Sequence, residues 1–294
     1  MTNTDNFQPL LEKSITSREE YFSYVKALYE EWKSYRLQAR TEKYFQTCEK
    51  LGKYIPQLVP LQPPQFFTGD INFDVAIISL NPHAGTNYEI DTVPFCQSWE
   101  EYLMFWTNFS QERYAKCGKA SNLISKLSRF DVKLQHFLSG NINEVTSQEL
   151  AKWNVFHVEL FPIASAGFSI SGIDEYPCLY LVRMLEVLAL KDRQLILVLN
   201  AQLSRLLRKA HRLGMLTLED CRKQTFFIGS KSKKVLRENS VVRLKNGKIL
   251  NITATPTFAC QGYLSNRELA EYSEKIFTAA EKSILIRAIG AAEK

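Results

Sequence analysis

The feature that most constrains the fold is a run of seven residues, DVAIISL (74–80), which ends abruptly at Asn81-Pro82. A run that is apolar on both faces needs cover on both faces, which is typical of a parallel strand inside an α/β sheet. Two later runs, NVFHVELF (154–161) and QLILVLN (194–200), have the same character. Because helix-like periodicity separates the runs, the sequence predicts a three-layer α/β/α sandwich with a mostly parallel central sheet.

The connecting segments carry helix and hairpin signals. Ser17 and Glu20 have the spacing of a capping box at the start of a helical region over 17–53. Asn200 is expected to cap a helix that Gly214 ends. The Asn246-Gly247 pair predicts a hairpin whose second arm, 248–254, is a fourth core strand. Further helices are expected around residues 97–109, 120–130, 178–190 and 265–285.

A proline-rich stretch over residues 54–70 cannot be helical. We therefore divide the chain into an N-terminal helical segment, 1–60, and an α/β domain, 61–294.

Composition excludes several classes of protein. No stretch of about 18 apolar residues is present, and the N-terminus lacks a signal-peptide pattern, so we expect a cytoplasmic protein without a membrane partner. The six cysteines are scattered, and none forms a CxxC pair. Their spacing suits neither a zinc site nor an iron–sulfur cluster, so we expect reduced thiols, no metal and no cofactor.

Positive charge is concentrated in one part of the chain. The net charge is +6, but residues 202–250 hold 13 Lys and Arg against 3 Asp and Glu, which is 13 − 3 = +10. The rest of the chain therefore sums to 6 − 10 = −4. Such a field attracts a polyanion. The alternative is a solvated helix face followed by an exposed loop.

In parallel sheets, ligands bind beyond the carboxyl ends of the strands. This rule selects segments 81–85, 159–167, 200–202 and 255–262. Asn81 cannot act as a base, but its amide can position a water molecule; Asn-Pro is also a common start of a turn. Phe95 could stack on a base or belong to the core.

The later strand ends offer further candidates. His157 and Glu159 share one face of a strand, and a carboxylate there could accept a hydrogen bond from an exocyclic amine such as that of cytosine; a salt bridge is the alternative. Thr255 and Thr257 could donate to a phosphate or form an ordinary turn. The sequence holds no GxSxG or GxxxxGK[ST] motif, and His83 and His157 are too few for a metal site.

Taken together, these segments resemble the uracil-DNA glycosylase superfamily over roughly residues 73–277. ISLNPHAG is similar to its first motif, especially that of the mismatch-specific branch, and VPF followed by WEEYLMFW is similar to that branch's base-stacking segment. NVFHVELFP, LILVLNAQLSRLL and ITATPTF resemble the second strand, the third strand with its helix, and the final motif.

The resemblance implies a monofunctional glycosylase that binds duplex DNA, flips one nucleotide and hydrolyses the bond to its base, leaving an abasic site. By this resemblance Asn81 positions water and Thr257 holds a phosphate, and Thr255 beside it is assigned to DNA contact. The base would contact Pro82, His83, Phe95, His157 and Glu159. The hole in the duplex would be filled by Phe258 or by Tyr263 with Leu264. From the basic stretch, we expect Lys231, Lys233 and Lys234 to contact DNA.

One departure bears on the substrate. Thr255 stands where many members of the superfamily have histidine, so a base other than plain uracil, such as a modified cytosine, is the expected target. Two other hypotheses remain open. The chain could be an inactive DNA- or nucleotide-binding module of the same fold, or an enzyme that acts on free nucleotides.

Overall fold

The computed structural model describes residues 13–36, 42–55, 58, 60, 63–80, 98–115, 129–163, 175–259 and 264–290. The strands are β1 (Phe67–Thr68), β2 (Val75–Ser79), β3 (Val155–Glu159), β4 (Leu195–Val198), β5 (Leu216–Ile228), β6 (Lys233–Leu244) and β7 (Ile249–Ala254). The α-helices are α1 (Arg18–Arg36), α2 (Glu42–Gly52), α3 (Trp99–Thr107), α4 (Arg129–Ser139), α5 (Ser147–Leu150), α6 (Glu175–Leu188), α7 (Ala201–Arg212), α8 (Asn266–Ile276) and α9 (Ala279–Ala288). A π-helical turn spans Gln111–Ala115, and a 3₁₀ turn spans Pro256–Ala259.

All seven strands form one mixed sheet in the order β1-β3-β2-β4-β7-β6-β5. The pairs β2–β3, β2–β4 and β4–β7 are parallel, and the pairs β1–β3, β5–β6 and β6–β7 are antiparallel. The α/β class is therefore confirmed, but the sheet is mixed rather than mostly parallel. The difference comes from β5 and β6, two long strands that form an antiparallel ribbon at one edge.

Side chains of the central strands alternate between two apolar clusters. Ala76 and Ile78 of β2 belong to a cluster that also contains residues of α1, α3, α6 and α7. Val75 and Ile77 belong to a second cluster, which contains residues of α4, α8 and α9. Strand side chains point alternately to opposite faces. We call these the α7 face and the α8 face of the sheet.

The N-terminal helix packs directly on the sheet. Tyr21, Val25 and Trp32 of α1 are fully buried in the same cluster as Phe156 of β3. Just before the helix, the backbone N–H of Ile15 donates to Glu186 Oε2 of α6 at 2.8 Å. The helical segment predicted within residues 1–60 therefore shares its hydrophobic core with the strands that follow.

Local signals are confirmed where the structure describes them. Ser17 and Glu20 exchange backbone-to-side-chain hydrogen bonds at the start of α1. Asn200 caps α7 by accepting from the N–H of Gln202 at 2.7 Å, and Gly214 follows that helix with a φ of 68°. Gly247 turns the β6–β7 hairpin with a φ of 84°.

The C-terminal helix differs from the prediction over 265–285, because it is two helices. Thr278 and Glu281 form a second capping box, which begins α9 two residues after α8 ends. No helix in the described ranges is both long and apolar enough to cross a membrane.

Candidate functional site

The four parallel strands end in polar residues at one edge of the sheet. The chain places β3 on one side of β2 and then returns to place β4 on the other, so the switch in strand order falls beside β2. Such a switch point opens a crevice at the carboxyl ends of the strands. The first polar residues at these ends are Ser79 on β2, Glu159 on β3, Asn200 after β4 and Thr255 after β7.

Three of the polar side chains at this edge form one hydrogen-bonded cluster. The strand register sets Ser79 beside Glu159, and His157 lies two residues earlier on the same face. Ser79 Oγ lies 2.6 Å from Glu159 Oε2 and 2.5 Å from His157 Nε2. We call Ser79, His157 and Glu159 the strand-end triplet. The prediction that His157 and Glu159 share one face of the strand is confirmed.

Burial shifts both titratable groups of the strand-end triplet toward their neutral forms. The side chains of His157 and Glu159 are 14% and 5% exposed. Desolvation raises the pKa of Glu159 to about 7, to which the nearby Asp131 charge also contributes, although the Ser79 hydrogen bond opposes the rise. Desolvation lowers the pKa of His157 to about 4. Both shifts favour the neutral forms, which weakens an ion pair across the 3.7 Å contact between Nε2 and Oε1.

The bridging hydroxyl links the protonation of Glu159 to the state of His157. When Glu159 is ionised, the Ser79 hydroxyl donates to it and accepts from Nε2–H of His157, which leaves Nδ1 as an acceptor. When Glu159 is protonated, it donates to Ser79, which donates to Nε2, and Nδ1 carries the hydrogen. Nδ1 of His157 thus changes from a hydrogen-bond acceptor to a donor.

Helix α4 supplies one wall of the cluster. The ring of Phe130 lies nearly parallel to that of His157, with centroids 6.0 Å apart and an interplanar angle of 13°. Phe130 also makes an edge contact with Phe258. The next residue, Asp131, accepts a hydrogen bond from the hydroxyl of Tyr114. A histidine flanked by an aromatic ring and a carboxylic acid suits a planar ligand with polar edges.

The triplet has the residue types of a nucleophilic triad but not its geometry. In a triad the acid holds the far nitrogen of the histidine, which orients the ring for the nucleophile. Here Glu159 contacts the serine hydroxyl, and Nδ1 of His157 has no hydrogen-bond partner in the described part of the chain. Ser79 therefore bridges the acid and the histidine, which is not the position of a triad's nucleophile.

Several predicted site residues lie outside the described residues, namely Asn81, Pro82, His83, Phe95 and Tyr263. The structure does describe Ser79 and Leu80, which precede Asn81. The carbonyl of Leu80 accepts from the N–H of Phe161 at 2.8 Å, and that of Ser79 accepts from Leu160. The chain therefore leaves β2 beside the end of β3, next to the strand-end triplet.

The structure corrects the roles predicted for the end of β7. Phe258 and Leu264, expected to enter a DNA duplex, are buried in the cluster on the α8 face. The 3₁₀ turn directs Phe258 inward, where its ring packs against that of Phe137. Thr255, expected to contact a phosphate, is fully buried, and its hydroxyl has no partner among described residues. The side chain of Thr257 lies outside the described set.

The three lysines predicted to contact DNA differ from one another. Lys231 and Lys234 are exposed near the tip of the β5–β6 ribbon. Lys233 instead forms an ion pair with Glu268 of α8 at 2.8 Å. Hydrogen bonds from Lys233 and from the Ser265 backbone lower the pKa of Glu268 to about 2. Lys233 therefore fastens the ribbon to α8, which corrects its assignment as a free DNA contact.

Sequence reasoning missed Ser79, Phe130 and Asp131. A signal for Ser79 was present, since it is the only hydroxyl residue in the apolar run 74–80. The contacts of Phe130 and Asp131 come from chain segments far apart in sequence, and no local pattern marks them.

Comparison with models of protein families, with curated proteins and with solved structures finds no match to this chain.

Proposed function

We propose that the protein is a monofunctional DNA glycosylase, which flips a modified base from DNA and hydrolyses its N-glycosidic bond to leave an abasic site. The observation that carries the proposal is the strand-end triplet, a buried acid connected through one hydroxyl to a histidine whose Nδ1 has no hydrogen-bond partner among the described residues. It lies at the switch point of the parallel strands, beside Leu80, where the described chain leaves β2.

The triplet can protonate a departing base. With Glu159 protonated, its proton passes to Ser79 Oγ, the serine proton passes to Nε2 of His157, and the proton on Nδ1 passes to the base. One proton leaves Glu159 and one reaches the base, so the charge balances. A group whose pKa is near 7 is suited to general acid catalysis at neutral pH.

Water then completes the reaction at the sugar. In this proposal the uncharged amide of Asn81 orients the water, while the aromatic side chain of Phe130 flanks the histidine that contacts the base. Flipping costs a few kcal/mol, which stacking and hydrogen bonds to the base edge offset. A carboxylic acid and an imidazole can both donate and accept, which matches the amine and ring nitrogen of a cytosine-type base.

We also propose a three-layer arrangement for the parallel half of the sheet. Helices contribute to apolar clusters on both faces of the central strands, which supports a three-layer arrangement in the parallel half of the sheet. In such an arrangement only the strand ends are open to a ligand. A base could then reach the strand-end triplet only from this edge.

The test is release of a base from oligonucleotides that carry different modified bases, with alkali treatment to reveal abasic sites. We expect one class of modified base to be released by the wild-type protein. Glu159→Gln keeps the shape of the side chain but cannot supply a proton, so its single-turnover rate should fall at least 100-fold. His157→Gln should do the same.

Glu144→Gln, a substitution of the same kind at an exposed position, is the matched control and should leave the rate unchanged. Asn81→Ala should bind DNA but lose turnover. If no base is released from any substrate while DNA is still bound, the chain is a binding module and the glycosylase proposal fails.

A further inference from the structure

A basic surface lies on helix α7, away from the strand-end triplet. Arg205, Arg208, Lys209 and Arg212 recur at the spacing i, i+3, i+4 and i+7, which places them along one side of the helix. They span about 10 Å at 1.5 Å per residue. The opposite side of the helix buries leucines against the sheet. Together with His211, these four residues line a cleft of ≈ 590 Å³.

Most of the positive charge on α7 is not neutralised. Arg208 forms an ion pair with Glu238 of β6 at 3.2 Å. Within the described residues, Arg205, Lys209 and Arg212 have no ion-pair partner. Three like charges on adjacent turns repel one another unless an anion lies between them.

The ribbon continues this surface toward its tip. Glu238 is register partner to Lys223, and Lys234 is register partner to Phe227, so all four side chains lie on the α7 face. Lys223 contacts Glu238 at 3.6 Å, while Lys234 is exposed. Phe227 is 57% exposed, although it is a large aromatic residue. The surface therefore holds six cations, one carboxylate and one exposed ring.

On the α8 face of the ribbon, by contrast, the cations are paired with acidic side chains. There Arg237 pairs with Glu281, Arg222 with Asp220, and Arg243 with Glu219. Each cation on that face has an acidic partner. Six of the 13 cations in residues 202–250 therefore lie on the α7 face, and three more, Lys231, Lys245 and Lys248, lie in the turns before and after β6.

We infer that the α7 face of the ribbon, together with α7 itself, is a binding surface for a nucleic-acid strand. The line of cations would contact successive phosphates, and Phe227 would stack on a base of a single-stranded segment. We favour nucleic acid over an anionic membrane because the surface is concave beside α7 and presents one aromatic ring rather than an apolar stripe.

This inference extends the proposed function by naming a surface that holds nucleic acid away from the flipped base. Helix α7 starts at the carboxyl end of β4 and returns along the sheet, so its basic residues lie one to three turns from that edge. The binding surface and the glycosylase activity can be tested separately, because binding is measured on DNA of ordinary bases and excision on modified DNA.

The experiment is fluorescence anisotropy with a labelled 20-nucleotide single strand and its duplex, at several salt concentrations. The triple variant Arg205→Gln, Lys209→Gln, Arg212→Gln should bind at least tenfold more weakly at low salt. Its plot of log affinity against log salt should be less steep by roughly 2 to 3, since each lost phosphate contact removes about 0.9. Phe227→Ala should weaken single-strand binding about tenfold and duplex binding less.

The matched control removes the same charge elsewhere, with Lys26→Gln, Lys152→Gln and Arg287→Gln, and should bind as the wild type does. Glu144→Gln should also retain wild-type binding. Because binding is measured on DNA of ordinary bases and excision on modified DNA, a failed binding surface is distinguished from a failed glycosylase. The inference is overturned if the triple variant keeps the wild-type affinity and salt slope. It is also overturned if wild-type protein binds phosphatidylserine vesicles but neither DNA.

Discussion

The parallel and antiparallel halves of the sheet differ in burial and in the charge that they carry. In the parallel half, β2 is buried along its whole length, and its one polar side chain, Ser79, lies at its end. In the antiparallel half, the middle of β5 is largely exposed, and charged residues line both faces. A buried edge can hold neutral, proton-sharing groups, because desolvation suppresses charge. An exposed ribbon can hold charge, so we propose the chemistry for the first half and the polyanion contacts for the ribbon together with α7.

The largest effect should come from a cavity in the parallel half. Ile77 is fully buried in the middle of β2, so Ile77→Ala should reduce the free energy of unfolding by about 2–5 kcal/mol. Ile249, at the start of β7, is 48% exposed, and Ile249→Ala should cost less than about 1 kcal/mol. Urea denaturation of both variants measures the difference. Equal losses would show that the two halves do not differ in packing.

The second effect compares two arginines on the α8 face of the ribbon. Arg237 is almost fully buried and binds Glu281 through two nitrogens, so Arg237→Gln should cost about 2–4 kcal/mol by leaving a partly buried carboxylate without its partner. Arg222→Gln removes a partner of Asp220 in an exposed pair and should cost less than about 0.5 kcal/mol. A thermal shift for Arg222→Gln as large as that for Arg237→Gln would contradict the assignment.

The third effect is a change in how stability depends on pH. The raised pKa of Glu159 makes stability fall as pH rises from about 4.5 to 7, whereas the lowered pKa of His157 makes it rise from about 4 to 6.5. The two contributions nearly cancel between pH 4.5 and 6.5. In Glu159→Gln only the histidine term remains, so stability should increase over that window by up to about 3 kcal/mol relative to wild type.

Urea denaturation at half-unit pH intervals measures this slope, and Glu144→Gln is the exposed control. A Glu159→Gln profile parallel to that of the wild type would mean that Glu159 is not protonated in the folded protein.

The smallest effect concerns the turn that joins the two halves. Gly247 has a φ of 84° and open space around it, so Gly247→Ala should cost about 1 kcal/mol through backbone strain alone. Gly52 ends α2 with an ordinary φ and 3.9 Å to the nearest atom, so Gly52→Ala should be neutral or slightly stabilising. The same melting experiment measures both, and a loss at Gly52 equal to that at Gly247 would exclude strain as the cause.

The sequence predicts the parallel half well, because apolar runs bounded by turn residues are a local signal. It does not predict β5, where Glu219, Asp220, Arg222 and Lys223 remove the alternation that marks a half-buried strand. β5 becomes a strand because β6 pairs with it along its length, and pairing is a tertiary effect.

The sequence predicts only part of the site. The strand period places His157 and Glu159 on one face, and that expectation holds. Ser79 joins them only through a register between residues 80 apart in the chain, which local patterns do not contain. The motif resemblance predicts that Phe258 enters the duplex, but the 3₁₀ turn that follows β7 directs the ring into the core.

The central claim is that a neutral acid at the strand ends shares a proton with Ser79 and His157. The most direct measurement is a titration of side-chain carboxyl carbons by NMR in protein labelled at glutamate, with Glu159 assigned from the resonance missing in Glu159→Gln. We expect that carbon to titrate near pH 7, well above the exposed glutamates. Titration near pH 4.5, together with the other glutamates, would contradict the claim.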